Sequence, residues 1–278
     1  MRGGIMSNKI SLAGDLGSGK STVASYLINA LGAEYYSTGR IVRSIAEKMG
    51  MDINEFNKYM ETHPEIDTEI DDGLRALSSD ERALVIDSRM AWNFVEDTFR
   101  VYMTVDIDVS AMRIMYAKRQ DERSGTASEM ADGIRARRKS ERLRYLTQYG
   151  VDIMDFSNYD LVIDTTVASP EEVAEAILTA YRDWCSDKSK RLCLLSPERL
   201  RYPDDEADTA LVAEYSDKLD LGEAPPISEA YYDDGAFYLV SGVESALAYS
   251  FSMHNFIPVS LVSERPSGVE FIEMKNSL

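Results

Sequence analysis

From residue 9 onward, short apolar runs alternate with longer stretches of helical period. "KISLA" (Lys9–Ala13), "AEYYS" (Ala33–Ser37), "ALVIDS" (Ala83–Ser88), "FRVYMTVD" (Phe99–Asp106) and "YDLVIDTT" (Tyr159–Thr166) are nearly continuous in apolar and β-branched residues. Such runs read as strands buried on both faces. Between them lie helical patterns, the clearest being "STVASYLINAL", which sets Val23, Leu27, Ile28 and Leu31 on one face. Strand and helix in turn predict an α/β fold: a parallel five-stranded sheet with helices on both faces. Ligands of such sheets sit at the carboxyl ends of the strands.

After "LTAYRDWCSDKSKR" the rhythm changes. A polar junction near residues 186–190 divides the chain into 1–186 and 187–278. The second part reads as strand ("LCLL"), turn, short helix, strand ("PISEAYY"), a "DDG" turn, strand ("FYLVSG"), helix and strand ("IPVSLV"). This is the order of a small α+β domain, and "DDG" between apolar-alternating runs is a hairpin signal.

Composition narrows the chemistry. The net charge of −18 over 278 residues disfavours nucleic acid and anionic membranes as partners, because both require clustered Lys and Arg. No apolar run spans a bilayer and the start lacks a signal-peptide core, so the expected location is cytoplasmic. Cys185 and Cys193 are the two cysteines and His63 and His254 the two histidines, which disfavours zinc sites and histidine-based triads. A reduced cysteine pair fits a cytoplasmic protein.

One stretch carries specific chemistry. "GDLGSGKST" has the spacing G-x-x-x-x-G-K-S, with Gly14, Gly17, Ser18, Gly19, Lys20, Ser21 and Thr22, between a strand and a helix. Glycines there let backbone N–H groups turn inward around phosphates; Lys20 reaches the terminal phosphates and the Ser21 hydroxyl suits Mg²⁺. ATP and Mg²⁺ are therefore the expected cofactors. Asp15 is out of place, since a carboxylate inside an anion-binding loop opposes binding unless it points away.

The other strand ends add to this. Thr38, Gly39 and Arg43 follow the second strand; Asp87 and Arg89 follow the third. "KRQDERSGTASEMADGIRARRKSERLRY" concentrates Arg119, Arg123, Arg135, Arg137, Arg138, Arg142 and Arg144 within an otherwise acidic chain. An arginine-rich cover suits phosphoryl transfer, which is mostly positioning and charge neutralisation. For any single arginine, a solvated helix face is the simpler reading.

Residues 8 to about 184 resemble the cytidylate kinase-like branch of the nucleoside monophosphate kinases. The resemblance rests on "GDLGSGKST", "STGRIVRSIA", "FNKYMETHPEIDTEID", "VIDSRMAW" and "RRKSERLRYLTQYGVDIMDFSNYDLVIDTT…SPEEV", in that order. It implies an ATP-dependent kinase with an arginine-rich lid, acting on a nucleoside monophosphate, CMP or dCMP first. By the same resemblance Thr38, Arg43 and Arg89 hold the acceptor phosphate. Arg137, Glu141 and Arg144 come from the lid side to the acceptor and bridging phosphates, and Arg119 and Arg123 face the ATP phosphates. Asp87 orders Mg²⁺ or contacts the acceptor. Met90 departs from the pattern, standing where longer members carry an Asp. Another small-metabolite acceptor, or a nucleotide sensor with little turnover, stays open.

"APPISEAYYDDGAFYLVSGVESALAYSFSMHNFIPVSLV" resembles the ParB/sulfiredoxin-like fold. The Gly-led box of that fold carries phosphate-gripping arginines or a cysteine. Here Gly242 to Ala248 has neither, and the region is acidic. The segment is therefore expected to be a structural or regulatory appendage, with a protein partner as its remaining role. A piece ending near Lys188 is expected to fold and catalyse alone.

Overall fold

The computed structural model describes residues 8–118, 126–203, 207–264 and 268–273. The first part runs β1 (Lys9–Gly14), α1 (Lys20–Leu31), β2 (Glu34–Ser37), α2 (Thr38–Lys48), α3 (Ile53–Glu61), α4 (Pro64–Ala76), β3 (Leu84–Asp87), α5 (Ala91–Phe94), β4 (Phe99–Thr104), α6 (Ile107–Lys118), α7 (Ala127–Tyr149), β5 (Leu161–Asp164) and α8 (Pro170–Ser186). The second part runs β6 (Leu192–Leu195), β7 (Leu200–Pro203), α9 (Thr209–Asp220), β8 (Ser228–Asp233), β9 (Ala236–Ser241), α10 (Val243–Phe251), β10 (Ile257–Val262) and β11 (Phe271–Glu273).

The five expected strands form a parallel sheet in the order β2-β3-β1-β4-β5. The long helices have clear stop and start signals. Thr126 and Glu129 make a reciprocal capping box at the start of α7, and Gly150 ends it at φ 69°. Ser169 and Glu172 do the same for α8, with Pro170 in its first turn.

The sheet does not stop at β5. β6 pairs with β5 in parallel, and β10, β8, β9, β7 and β11 follow, giving one sheet of eleven strands. The "DDG" turn does join two antiparallel strands, β8 and β9. β7 and β11 escape the sequence pattern because they are short, with β11 at the edge of the sheet and β7 beside it. β7 ends in Pro203, and β11 pairs only with β7. Strand β6 reads the same in sequence whether it opens a new sheet or extends an old one.

Alternation along the central strands builds two cores. Val101, Met103, Leu161 and Ile163 face one core with Val23, Leu27, Ile177 and Trp184 from α1 and α8. Tyr102 and Val162 face the other, which also holds Tyr145, Phe156 and Tyr159 together with Leu195, Leu200, Ala230, Phe237 and Ile257. The second core thus draws on both parts of the chain. Phe156 stacks with Phe237 at 6.1 Å between ring centroids and tilts against Tyr232 at 4.7 Å. At burial worth ~25 cal/mol per Å², aromatic contacts of this kind are a substantial share of a domain's stability. A piece ending near Lys188 would lose β6 from one side of β5 and uncover this aromatic face. Among the described residues no helix is long and apolar enough to cross a membrane.

Candidate active site

The loop between β1 and α1 is shaped by two glycines that nothing else can replace. Gly14 sits at φ 142°, and a Cβ there would lie 2.3 Å from the Met103 carbonyl oxygen of β4. Gly17 sits at φ 74°, and its Cβ would lie 2.6 Å from Ser110 Oγ of α6. A side chain at either position would push the loop off its supports. Lys20, the first residue of α1, folds back over the loop. Its Nζ donates to the carbonyl oxygens of Gly14 at 3.0 Å and Asp15 at 2.7 Å. Burial first, and the nearby Arg89 cation second, push the Lys20 ammonium down to about 8.

Asp15 does point away from the phosphate cradle. Its Oδ1 accepts from the Tyr102 hydroxyl at 2.9 Å, and its Oδ2 from Thr104 Oγ1 at 3.0 Å and the Val105 N–H at 3.2 Å. Arg138 of α7 completes the set, with Nη2 3.0 Å from Oδ1. The carboxylate that looked hostile to anions is therefore neutralised and spent on tying the loop to β4 and to α7.

Facing the loop, α7 presents a charged cluster. Arg89, just past β3, donates to the Gly14 carbonyl and pairs with Glu141 at 3.1 Å; Arg137 pairs with the same Glu141 at 2.8 Å. Burial works to raise the Glu141 carboxyl, but the two arginines outweigh it and hold the group below the usual carboxylate range. Asp15, Arg89, Tyr102, Arg137, Arg138 and Glu141 line one narrow cleft between loop and helix. Three arginines converge there against two paired carboxylates, which leaves one positive charge in excess for anionic oxygen.

The sequence profile of the cytidylate kinase-like family matches residues 9–167 of this geometry. The chain belongs to the cytidylate kinase-like family. It is 37% identical over 182 residues to a cytidylate kinase of Sulfurisphaera tokodaii, covering 65% of this chain and 98% of that one. It is also 38% identical over 178 residues to an S-adenosylmethionine-dependent nucleotide dehydratase of Lacinutrix mariniflava. That match covers 64% of this chain and 36% of the relative, so this chain spans about a third of the relative's length. The structure of sulfiredoxin from Arabidopsis thaliana superposes on 26% of the chain and 85% of its own, with 20% identity and a TM-score of 0.25. Family membership makes the chain an ATP-dependent kinase.

Within the family frame, the anticipated residues fall into three groups. Gly14, Gly17, Ser18, Gly19, Lys20, Ser21 and Thr22 form the loop and the start of α1; Ser18 Oγ donates to the Asp15 carbonyl at 2.9 Å. Arg89, Arg137 and Glu141 meet across the cleft. Thr38, Gly39 and Arg43 lie together on the first turns of α2, with the Arg43 guanidinium folded back over Gly39, outside the cleft lining. Arg144 also lies outside the lining. It spreads over the Tyr145 ring at 4.9 Å and donates to its hydroxyl at 3.1 Å, while its buried Nε has no partner among the described residues. Asp87 accepts from the Tyr35 hydroxyl at 2.8 Å. Arg119 and Arg123 fall outside the described residues. Met90 is 3% exposed and packs in the shared core, so it faces no ligand.

Sequence reasoning gave no role to Tyr102, Arg113 and Arg199, and placed Arg138 only within the arginine-rich cover. Arg113 of α6 donates to the Gly17 carbonyl at 3.4 Å and to the Thr165 carbonyl at 2.7 Å, joining the loop to the turn after β5. The oddity of Asp15 was the available signal for Arg138, because a buried carboxylate requires a cation or several donors.

Proposed function

We propose that the chain transfers the γ-phosphoryl group of ATP to a nucleoside monophosphate, with CMP or dCMP as the favoured acceptor. The observation that carries the transfer chemistry is Lys20 folded over the loop directly opposite the Arg89–Glu141–Arg137 cluster. A phosphate oxygen of the acceptor attacks the γ-phosphorus, the bond from that phosphorus to the bridging oxygen breaks, and ADP leaves. The acceptor is already an anion at neutral pH, so no general base is required. Lys20 and the arginines neutralise charge on the oxygens in flight. Arg144, whose Nε is buried without a partner, supports a role in holding the acceptor phosphate.

Oxygen donors suit Mg²⁺, and the Ser21 hydroxyl and Asp87 carboxylate are the residues that would hold it. When bound, the ion supplies charge neutralisation at the phosphates. Preference for cytosine rests on the family and on α4. Asp67 and Asp71 are one helical turn apart and buried, 9% and 7% exposed. Asp71 accepts from the Tyr149 hydroxyl of α7 at 2.7 Å. Buried carboxylates accept from an exocyclic amino group and reject a keto oxygen, which favours cytosine over uracil. Division at residues 186 and 187 into a kinase unit and a sulfiredoxin-like α+β unit with no phosphate-gripping box belongs to the same proposal. An acceptor panel with purified protein, read by ADP formation, tests it. CMP and dCMP should exceed UMP by at least about tenfold in kcat/KM, and equal rates for UMP would remove the cytosine assignment.

A further inference from the structure

The C-terminal segment reaches the phosphate end of the sheet through one side chain. Arg199 lies between β6 and β7, and its side chain is 7% exposed. Its Nε pairs with Asp164 Oδ2 at 2.7 Å, its Nη1 with Asp106 Oδ2 at 3.1 Å, and its Nη2 donates to the Gly235 carbonyl in the β8–β9 turn at 3.2 Å. Asp164 ends β5 and Asp106 follows β4. These are the strand ends at which ligands of parallel sheets sit.

Both carboxylates are already in use toward the kinase loops. Asp106 Oδ1 accepts the N–H groups of Asp108 at 2.9 Å and Val109 at 3.2 Å, fixing the first turn of α6. That helix supports the phosphate loop: Ser110 Oγ donates to the Leu16 carbonyl at 2.6 Å, and Arg113 reaches the Gly17 carbonyl. Asp164 Oδ1 accepts the Thr166 N–H at 2.7 Å, and Thr166 Oγ1 in turn accepts the Asp106 N–H at 3.0 Å. One guanidinium thus neutralises two strand-end carboxylates that together orient α6, the phosphate loop and the turn after β5. The Asp164 side chain is 0% exposed, and burial pushes its carboxyl upward against the pull of Arg199. Without that cation the pair of carboxylates would repel or take up a proton, and the loops hung on them would shift.

We propose that Arg199 is a positioning residue of the ATP side of the kinase site, acting through Asp106 and Asp164. The ninety or so residues after α8 are then part of the phosphoryl-transfer apparatus and no mere appendage. This rests on the kinase reading above, for which ATP is the donor. Among the described residues, Arg199 touches elements around the donor loop and none of α2, α4 or the Arg144 region. Its loss should therefore separate donor from acceptor behaviour.

The test uses full-length Arg199→Gln, Arg199→Lys and Asp106→Asn proteins. ATP dissociation constants come from calorimetry, and KM values for ATP and CMP from steady-state rates. Arg199→Gln and Asp106→Asn should each weaken ATP binding by about tenfold while the CMP KM stays within about twofold, since small displacements of a positioned group cost this much. Arg199→Lys, which keeps a charge, should recover part of the loss. If Arg199→Gln fails to fold, Asp106→Asn carries the comparison, because its one amide oxygen still accepts for α6 while its NH2 group replaces the charged oxygen that Arg199 pairs with. An ATP dissociation constant within twofold of wild type in a folded variant overturns the proposal, as does an equal rise in both KM values. Should the wild-type protein bind ATP without forming ADP from any monophosphate, the kinase reading fails, and the calorimetric comparison alone decides the role of Arg199.

Discussion

Removing the Asp15 carboxylate isolates the cost of the tie between phosphate loop and α7. Asp15→Ala strips the acceptor from three nearby donors, Tyr102 O–H, Thr104 O–H and Val105 N–H, and leaves Arg138 without its counter-ion. Each orphaned buried donor costs about 1–3 kcal/mol, and breaking a buried ion pair from one side costs about 3–5 kcal/mol. Asp15 is 4% exposed but Arg138 is 21% exposed, so water relieves part of the cation's loss. With the low end for each donor and about 2 kcal/mol for the partly hydrated cation, a net destabilisation of about 5 kcal/mol is the expected result, or roughly 10 °C in Tm at ~2 °C per kcal/mol for a chain of this size. Arg138→Gln should cost less, about 1–2 kcal/mol, because three neutral donors still hold the carboxylate. The Asp15→Ala/Arg138→Gln double variant should then recover about 1–2 kcal/mol relative to the sum of the singles. Urea unfolding of all four proteins measures the cycle. A coupling below about 0.5 kcal/mol would refute the tie, since it would mean the two charges ignore each other at 3.0 Å.

Three further outcomes follow from the same geometry. Lys20 has its pKa lowered from 10.5 to about 8, so ATP affinity should fall as pH rises through about 8 and the ammonium is lost. Because the unfolded chain binds more protons between about 8 and 10.5, the Lys20 contribution to stability should rise over that same window. Calorimetric ATP titrations at pH 7 and 9 check the first sign; a flat profile in the wild type would refute it. A piece ending at Lys188 should fail to form a cooperative domain, because β5 keeps β4 but loses β6, and Phe156, Tyr159 and Val162 lose their cover. A sharp thermal transition in that piece, followed by circular dichroism, would show that the first core suffices.

The parallel sheet and the phosphate loop were legible because each depends on local signals. Continuous apolar runs mark strands buried on both faces, and glycine spacing marks the loop. The partners of Asp15 were not legible, since Tyr102 and Arg138 are brought to it only by the crossing of β4 and α7. Arg89 looked like an acceptor contact, and its bond to the Gly14 carbonyl depends on how β3 lies beside β1. Arg199 carried no signal at all. In sequence it is one arginine in "SPERLRYP", and only the pairing of β5 with β6 turns it toward two carboxylates 35 and 93 residues away. Long-range pairing is the information that periodicity lacks.

The eleven-stranded sheet also sets an order of events during synthesis. β5 is complete at Asp164, but β10, which flanks β6 on its far side, ends only at Val262. At ~5–20 residues per second, the intervening chain of about 100 residues takes roughly 5–20 s to emerge. Throughout that interval the nascent kinase half displays an open strand edge and an aromatic face on the ribosome, the two features that most invite association between neighbouring chains on a polysome.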